Sequence, residues 1–178
     1  MHHDGLFIMT DYRDLYAAAQ ADIRAFGMEA AKAIDWHKAP TNALDSSKLP
    51  FHRWFPNGEM NTCHNAVDRH VAAGRGEQKA IIYDSPITGN ASTMTYAELQ
   101  DATARFAGML QKLGVSSGDR VIIYMPMIPE AVVAMLGCAR LGAVHSVVFG
   151  GFAAAELAKR IDDATPKAII SASCGHEP

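Results

Sequence analysis

Cysteine is scarce in this 178-residue chain, and its three cysteines, Cys63, Cys138 and Cys174, lie far apart with no Cys-x-x-Cys pair. A disulfide framework needs an even, closely spaced set in a small secreted chain. The thiols therefore read as reduced, which places the protein in the cytoplasm or a comparable compartment. Basic charge is sparse as well: 16 Lys and Arg stand against 19 Asp and Glu, for a formal net charge of −3, and the cations are scattered. Nucleic-acid binders carry a basic excess or stripe, so that class is set aside. Long apolar runs are missing too. The most apolar region, residues 131–155, is interrupted by Arg140, His145 and several glycines, and a membrane span needs about 20 apolar residues. The opening MHHDGLFIMT has no basic n-region and only a short apolar run, Leu6 to Met9, too little for a signal peptide. Met9 is an alternative start, which N-terminal sequencing that finds Met1 or His2 excludes.

What remains is an ordinary globular composition, 49% hydrophobic and 20% charged, long enough for one domain with a real core. The front is helical and loop-rich. Thr10 or Asp11 can cap a helix through YRDLYAAAQ, and a second helix is predicted from Asp22 to Ile34, weakened at Gly27. The stretch from Trp36 to Asn61 reads as irregular, with three prolines and an Asn57-Gly58 turn signal. Its Trp36, Phe51, Trp54, Phe55 and Met60 argue for an arm that packs on a domain rather than a linker. Asn61 can cap a helix through CHNAVDRHVAAG.

The rear alternates. KAIIYD (79–84) and STMTY (92–96) are β-rich around a turn, and Thr95 with Glu98 matches a capping box. The following helix places Leu99, Ala102, Phe106, Met109, Leu110 and Leu113 on one face and stops at Gly114. Strand RVIIYMP, a helix from Pro129 to Gly142, strand AVHSVVF, Gly150-Gly151, a helix through AAAELAKRIDDA and strand KAIISAS complete the series. Apolar runs such as VIIYM and VVF suit strands covered on both faces. The expected fold class is α/β: a helical arm over residues 1–78, then the first β/α units of a mostly parallel sheet over 79–178. A helix should cover the final strand, and none follows, so the end reads as a cut and the uncovered strand as a liability for association.

The chemistry-bearing candidates each have a plain structural alternative. The turn VVFGGFAAAE joins a strand to a helix start, where free N–H groups and the dipole favour an anion; it can equally be a tight βα turn. No Gly-x-Gly-x-x-Gly or Walker loop is present, nor a Gly-x-Ser-x-Gly elbow. Cys63, His64, Asp68 and His70 crowd two helical turns, but match no zinc spacing and read as a capped helix with surface charge pairs. His145 reads as a hydrogen-bonded core histidine and Ser146 as buried in the same strand. Asp162 and Asp163 are adjacent and read as a solvated helix end. Met125, Pro126 and Met127 either line a pocket at the carboxyl edge of a strand or fill core. No catalytic residue and no metal ligand is assigned.

Several long phrases resemble one family: DWHKAP, WFPNGEMNTCHNAVDRHV, the run MTYAELQDATARFAGMLQKLGVSSGDRVIIYMPMIPEAVVAMLGCARLGAVHSVVFGGF, and IDDATPKAIISASCG. They are similar to the AMP-forming acyl-CoA synthetases, in the acetyl- and propionyl-CoA synthetase branch and closer to the latter. The resemblance implies a ligase that joins a short carboxylic acid to coenzyme A using ATP and Mg2+, with an acyl-adenylate intermediate. It also implies that the phosphate loop, acyl pocket and adenylation lysine lie beyond Pro178, so that this chain's partner is the remainder of its own enzyme. One role carries over: Phe149, Gly150 and Gly151 match a turn that lies near coenzyme A. The arginines that hold a coenzyme A phosphate in acetyl-CoA synthetases have no counterpart in Gly175-His176-Glu177-Pro178. The β/α pattern alone also permits a dinucleotide-binding oxidoreductase domain, which the missing glycine fingerprint argues against, or a non-catalytic binding module.

Overall fold

The computed structural model describes residues 11–151, 153–173 and 175. The Met9 start, the Thr10 cap, Cys174 and the His176–Pro178 end lie outside the described residues. The chain divides into two compact units, residues 1–60 and 61–178. No helix among the described residues is long and apolar enough to cross a membrane.

In the first unit, α1 (Tyr12–Ala21) and α2 (Ile23–Ala31) start at aspartates. The Asp11 carboxylate accepts from the Arg13 N–H at 3.1 Å, and Asp22 accepts from Arg24 and Ala25 at 2.9 Å, satisfying donors that the first turn leaves open. α2 ends at Ala31, short of the expected Ile34, where the Trp36 indole donates to the Ala31 carbonyl at 2.8 Å. The stretch read as irregular contains a hairpin: β1 (Leu44–Lys48) pairs antiparallel with β2 (Phe51–Trp54). LDSSK and FHRW lack a clean apolar alternation, and every residue of β2 is exposed, so the periodicity that marks a strand was not there to read. Gly58 donates to the Phe55 carbonyl at 2.9 Å, closing the expected Asn57-Gly58 turn. Trp36 packs on Phe55 at 5.4 Å, and its ring fills the place of a side chain at Gly58.

In the second unit, Asn61 accepts from the His64 N–H at 3.1 Å, as a cap should. The helix it opens is wound as two π-helical turns, His64–Asp68 and Val71–Arg75, and Gly74 turns left-handed at φ 80°. β3 (Lys79–Ser85) and β4 (Asn90–Thr95) form an antiparallel hairpin of their own. The capping box forms: Glu98 N–H donates to Thr95 Oγ1 at 3.2 Å and Thr95 N–H to the Glu98 carboxylate at 2.7 Å, opening α3 (Tyr96–Lys112).

The chain then builds β5 (Arg120–Met125), α4 (Pro129–Leu141), β6 (Val144–Phe149), α5 (Ala154–Ala164) and β7 (Ala168–Ser171). The three strands are parallel in the order β6-β5-β7, each pair joined through a helix as a parallel sheet requires. Pro129 occupies the first turn of α4, and Gly142 ends it at φ 71°, where a Cβ would also strike the Ser117 hydroxyl at 2.8 Å. α3 buries Leu99, Thr103, Ala107 and Leu110, while Met109 and Leu113, expected on that face, are exposed. The stripe runs through small residues because α4 comes close: a Cβ on Gly137 would sit 2.5 Å from the Phe106 ring.

The main core holds Leu110, Val115, Val121, Ile123, Ala134 and Cys138, and a second cluster gathers Cys63, Val67, Leu99 and Val133. β5 is buried on both faces, as its run of apolar residues suggests, but β6 is not. In β6 only Val148 is buried; Val144, Val147 and Phe149 are exposed, which corrects the expectation that VVF is covered on both sides. Among the described residues β6 is an edge strand, as is β7, and the layer that seals the central strand does not close over it.

Candidate functional site

β5 and β6 end at one edge, with Met125 opposite Phe149 as their last pair. A cavity of about 570 Å³ opens there. Its walls are residues 83–87 at the end of β3, Pro126 and Met127 after β5, residues 149–151 after β6, and Gly175. This is the carboxyl edge at which open α/β sheets place ligands. The ambiguity over the methionines resolves by position: Met127 lines the cavity and is 81% exposed, whereas Met125 packs against the core.

The glycines after β6 have a steric reason. A Cβ on Gly150 would lie 3.0 Å from the Met125 carbonyl carbon and the Pro126 nitrogen, and 3.1 Å from the Met125 oxygen. Main chain cannot swing aside as a side chain can, so residue 150 must be bare for the β6–α5 turn to seat against the end of β5. Neither Gly150 nor Gly151 has a positive φ, so close approach, rather than turn flexibility, accounts for Gly150. No side chain caps α5, and its first-turn N–H groups are a favourable place for partial negative charge.

The lining has little charge. Among the described lining residues Asp84 is the one charged residue, and neither Lys nor Arg is present. Among the described lining residues no cationic side chain is present to pair with a phosphate, while Ile87, Pro126, Met127 and Phe149 offer apolar surface.

The other sequence candidates disperse. Cys63 is buried in the second apolar cluster. Asp68 accepts from Arg140 at 2.6 Å and from Gln100 at 2.8 Å, a partly buried link between the π-turns and the helices α3 and α4. That corrects the reading of its charge pair as a surface one. Asn61 extends the link, donating to the Ala139 and Arg140 carbonyls at the end of α4 at 3.2 and 3.1 Å. His70 packs tilted against the Tyr96 ring and accepts from Arg75 at 3.0 Å. Among the described residues no group of three His, Cys, Asp or Glu is placed to hold a metal ion. His145 is exposed and Ser146 half-buried, because both sit on the outer strand; the expectation of a core histidine and a buried serine is corrected. Asp162 and Asp163 are exposed at the end of α5.

Burial pushes the Cys138 thiol from an ordinary 9.0 up to about 11. The Cys63 thiol also rises, chiefly by burial, with Asp68 adding to the shift and Arg140 opposing it. Burial works against the Arg140 charge, yet the Asp68 carboxylate and the Cys63 sulfur hold the guanidinium more firmly protonated than usual. Both thiols are thus inert rather than nucleophilic. Sequence reasoning missed two features: the wall formed by residues 83–87 and the Asn61–Asp68–Arg140 link. Their members lie dozens of positions from their partners, so no local pattern announces them.

Comparison with known protein families matches both parts of the chain. Residues 12–66 match the model of the acetyl-coenzyme A synthetase N-terminus, and residues 68–178 match that of the AMP-binding enzymes. An uncharacterized protein of Pseudomonas aeruginosa is 56% identical over 166 residues, 93% of this chain and 26% of that protein. The human mitochondrial acyl-CoA synthetase short-chain family member 3 is 48% identical over 169 residues, 95% of this chain and 25% of its own length. An acetyl-coenzyme A synthetase of Streptomyces coelicolor is 48% identical over 163 residues, 92% of this chain and 25% of its own. The chain spans about a quarter of the length of these relatives. Because the match over residues 68–178 takes in more than half of it, the chain belongs to the family of AMP-binding enzymes, with an acetyl-coenzyme A synthetase N-terminus ahead of that region.

Proposed function

We propose that the chain is the leading part of an AMP-forming ligase for a short carboxylic acid, acetate or propionate. In that reaction a carboxylate oxygen attacks the α-phosphate of ATP and pyrophosphate leaves. The coenzyme A thiol then attacks the acyl carbon and AMP leaves. The observation that carries the reading is the cavity at the joint carboxyl edge of β5 and β6, seated by the bare Gly150. Phe149, Gly150 and Gly151 are the residues of this chain that hold coenzyme A, through an uncharged part of it. No residue of this chain is assigned to ATP or Mg2+. The buried, free thiols of Cys63 and Cys138 suit a reducing compartment such as the cytoplasm.

Two measurements test this. Supplied with ATP, Mg2+, coenzyme A and propionate or acetate, the 178-residue chain releases no pyrophosphate above a no-protein control; turnover overturns the assignment of the catalytic groups to the rest of the enzyme. In an NMR titration, coenzyme A shifts the Gly150 and Gly151 amide signals, and unmoved signals remove the site.

A further inference from the structure

The β1–β2 hairpin turns on Leu49 and Pro50, and Phe51 follows at once. Leu49 is 72% exposed and Phe51 77%. Proline suits a turn, but the two large apolar residues beside it serve neither the turn nor a core. The base of the hairpin, by contrast, is fixed. Ala43 is fully buried, its carbonyl accepts from the Phe55 N–H at 2.8 Å, and the Trp54 ring lies against Gly27 of α2. Charge is placed around the tip as well. Lys48 borders it on β1 and Arg53 on β2, both exposed, while the one acid of residues 44–54, Asp45, sits towards the base opposite Arg53. An apolar tip thus carries a cationic collar, on a chain whose formal net charge is −3.

We propose that this hairpin is an anchor for an anionic membrane surface. Leu49 and Phe51 enter the boundary between headgroups and acyl chains, while Lys48 and Arg53 stay level with the lipid phosphates. Such docking needs no spanning segment. Shape favours lipid over a folded protein: a specific protein interface buries about 800 Å² on each partner, which two side chains on a hairpin tip do not offer. A bilayer surface, in contrast, admits a convex apolar tip between its headgroups. Asp45 offsets part of the collar and the net charge of the chain opposes approach, so the apolar tip supplies the hold and the local cations select the lipid. The proposal is independent of the coenzyme A reading.

The test is co-sedimentation of the 178-residue chain with vesicles of phosphatidylcholine alone or with about 30% phosphatidylserine, which supplies the anionic surface. The chain sediments with the anionic vesicles, and raising the salt weakens that binding. Leu49→Ser/Phe51→Ser weakens it about tenfold or more, because two apolar side chains no longer enter the boundary. Lys48→Glu/Arg53→Glu abolishes the preference for phosphatidylserine. All four positions are exposed, so urea unfolding of these variants matches wild type. Ile82→Ser, at an equally exposed apolar position of β3, leaves binding unchanged and separates the tip from general surface stickiness. No sedimentation with the anionic vesicles, equal binding to both kinds, or tip variants that bind as wild type does would each overturn the proposal. So would an equal loss in Ile82→Ser, or a dimer that Leu49→Ser/Phe51→Ser dissolves and that binds no lipid, which would assign the tip to a second copy of the chain.

Discussion

β5 and β6 are neighbouring strands of similar composition and opposite circumstance. RVIIYM lies between two strands and under helices, and its Val121, Ile122 and Ile123 are fully buried. VHSVVF pairs with β5 on one side; Val144, Val147 and Phe149 are about half exposed or more, and Val148 alone is sealed. An apolar run reports how strongly a strand favours a sheet, and it does not report where in the sheet the strand sits. The difference has a functional side. The central strand anchors the core, while the outer one carries its exposed ring to the cavity.

Paired truncations sharpen that contrast most. Ile123→Ala removes a fully buried side chain from the centre of the sheet and is expected to cost about 2–5 kcal/mol, the transfer term plus the cavity left behind. Val147→Ala, its register partner on β6, is half exposed and is expected to change stability by about 0.5 kcal/mol or less. Urea unfolding of the two variants measures both. Equal losses would mean that β6 is as well covered as β5 and would break the comparison.

Much of this fold was legible wherever the signal is local. The Thr95–Glu98 capping box, the Pro129 start and the Gly142 stop each work within one helical turn, and all three form. So did the order of strands and helices from Lys79 onward, and the placing of Pro126 and Met127 at a strand edge. What was not legible depends on distant neighbours. The need for glycine at 150 comes from the backbone of Met125 and Pro126. The exposure of His145 comes from the outer position of its strand. The β1–β2 hairpin hides in polar, exposed segments that carry no period. Spacing read CHNAVDRH as a capped helix with charged neighbours, and the cap held; the partner of Asp68 is Arg140, 72 positions away.

That partner defines a second difference between the two sides of the sheet. The helix layer over β5 is tied by charge as well as by apolar packing: Asp68 and Arg140 are only 22% and 27% exposed, and Gln100 adds a second hydrogen bond to Asp68. Removing one partner strands the other charge in a partly dry place. Asp68→Ala is therefore expected to destabilise by about 2 kcal/mol, within the range for hydrogen bonds to charged groups. Arg140→Met, which removes the cation but keeps its bulk, on top of Asp68→Ala should recover part of that loss. A loss under about 0.5 kcal/mol in Asp68→Ala would reduce the link to an ordinary surface pair.

The smallest effect concerns the same buried side and is read against pH. Cys138 lies in α4 against β5, and burial raises its thiol from 9.0 to about 11. The sign follows from which form each state prefers. The folded chain holds the neutral thiol, while the unfolded chain releases its proton near 9. The contribution is thus fully present below pH 9 and is lost as pH rises towards 11. At pH 10 the loss is on the order of 1 kcal/mol. The informative quantity is the difference between wild type and Cys138→Ala, which isolates the one thiol. Chemical denaturation at pH 8 and at pH 10 should show stability falling further in wild type than in the variant. Parallel falls would place Cys138 in contact with water, and with it the seam between α4 and β5 on which the contrast with β6 depends.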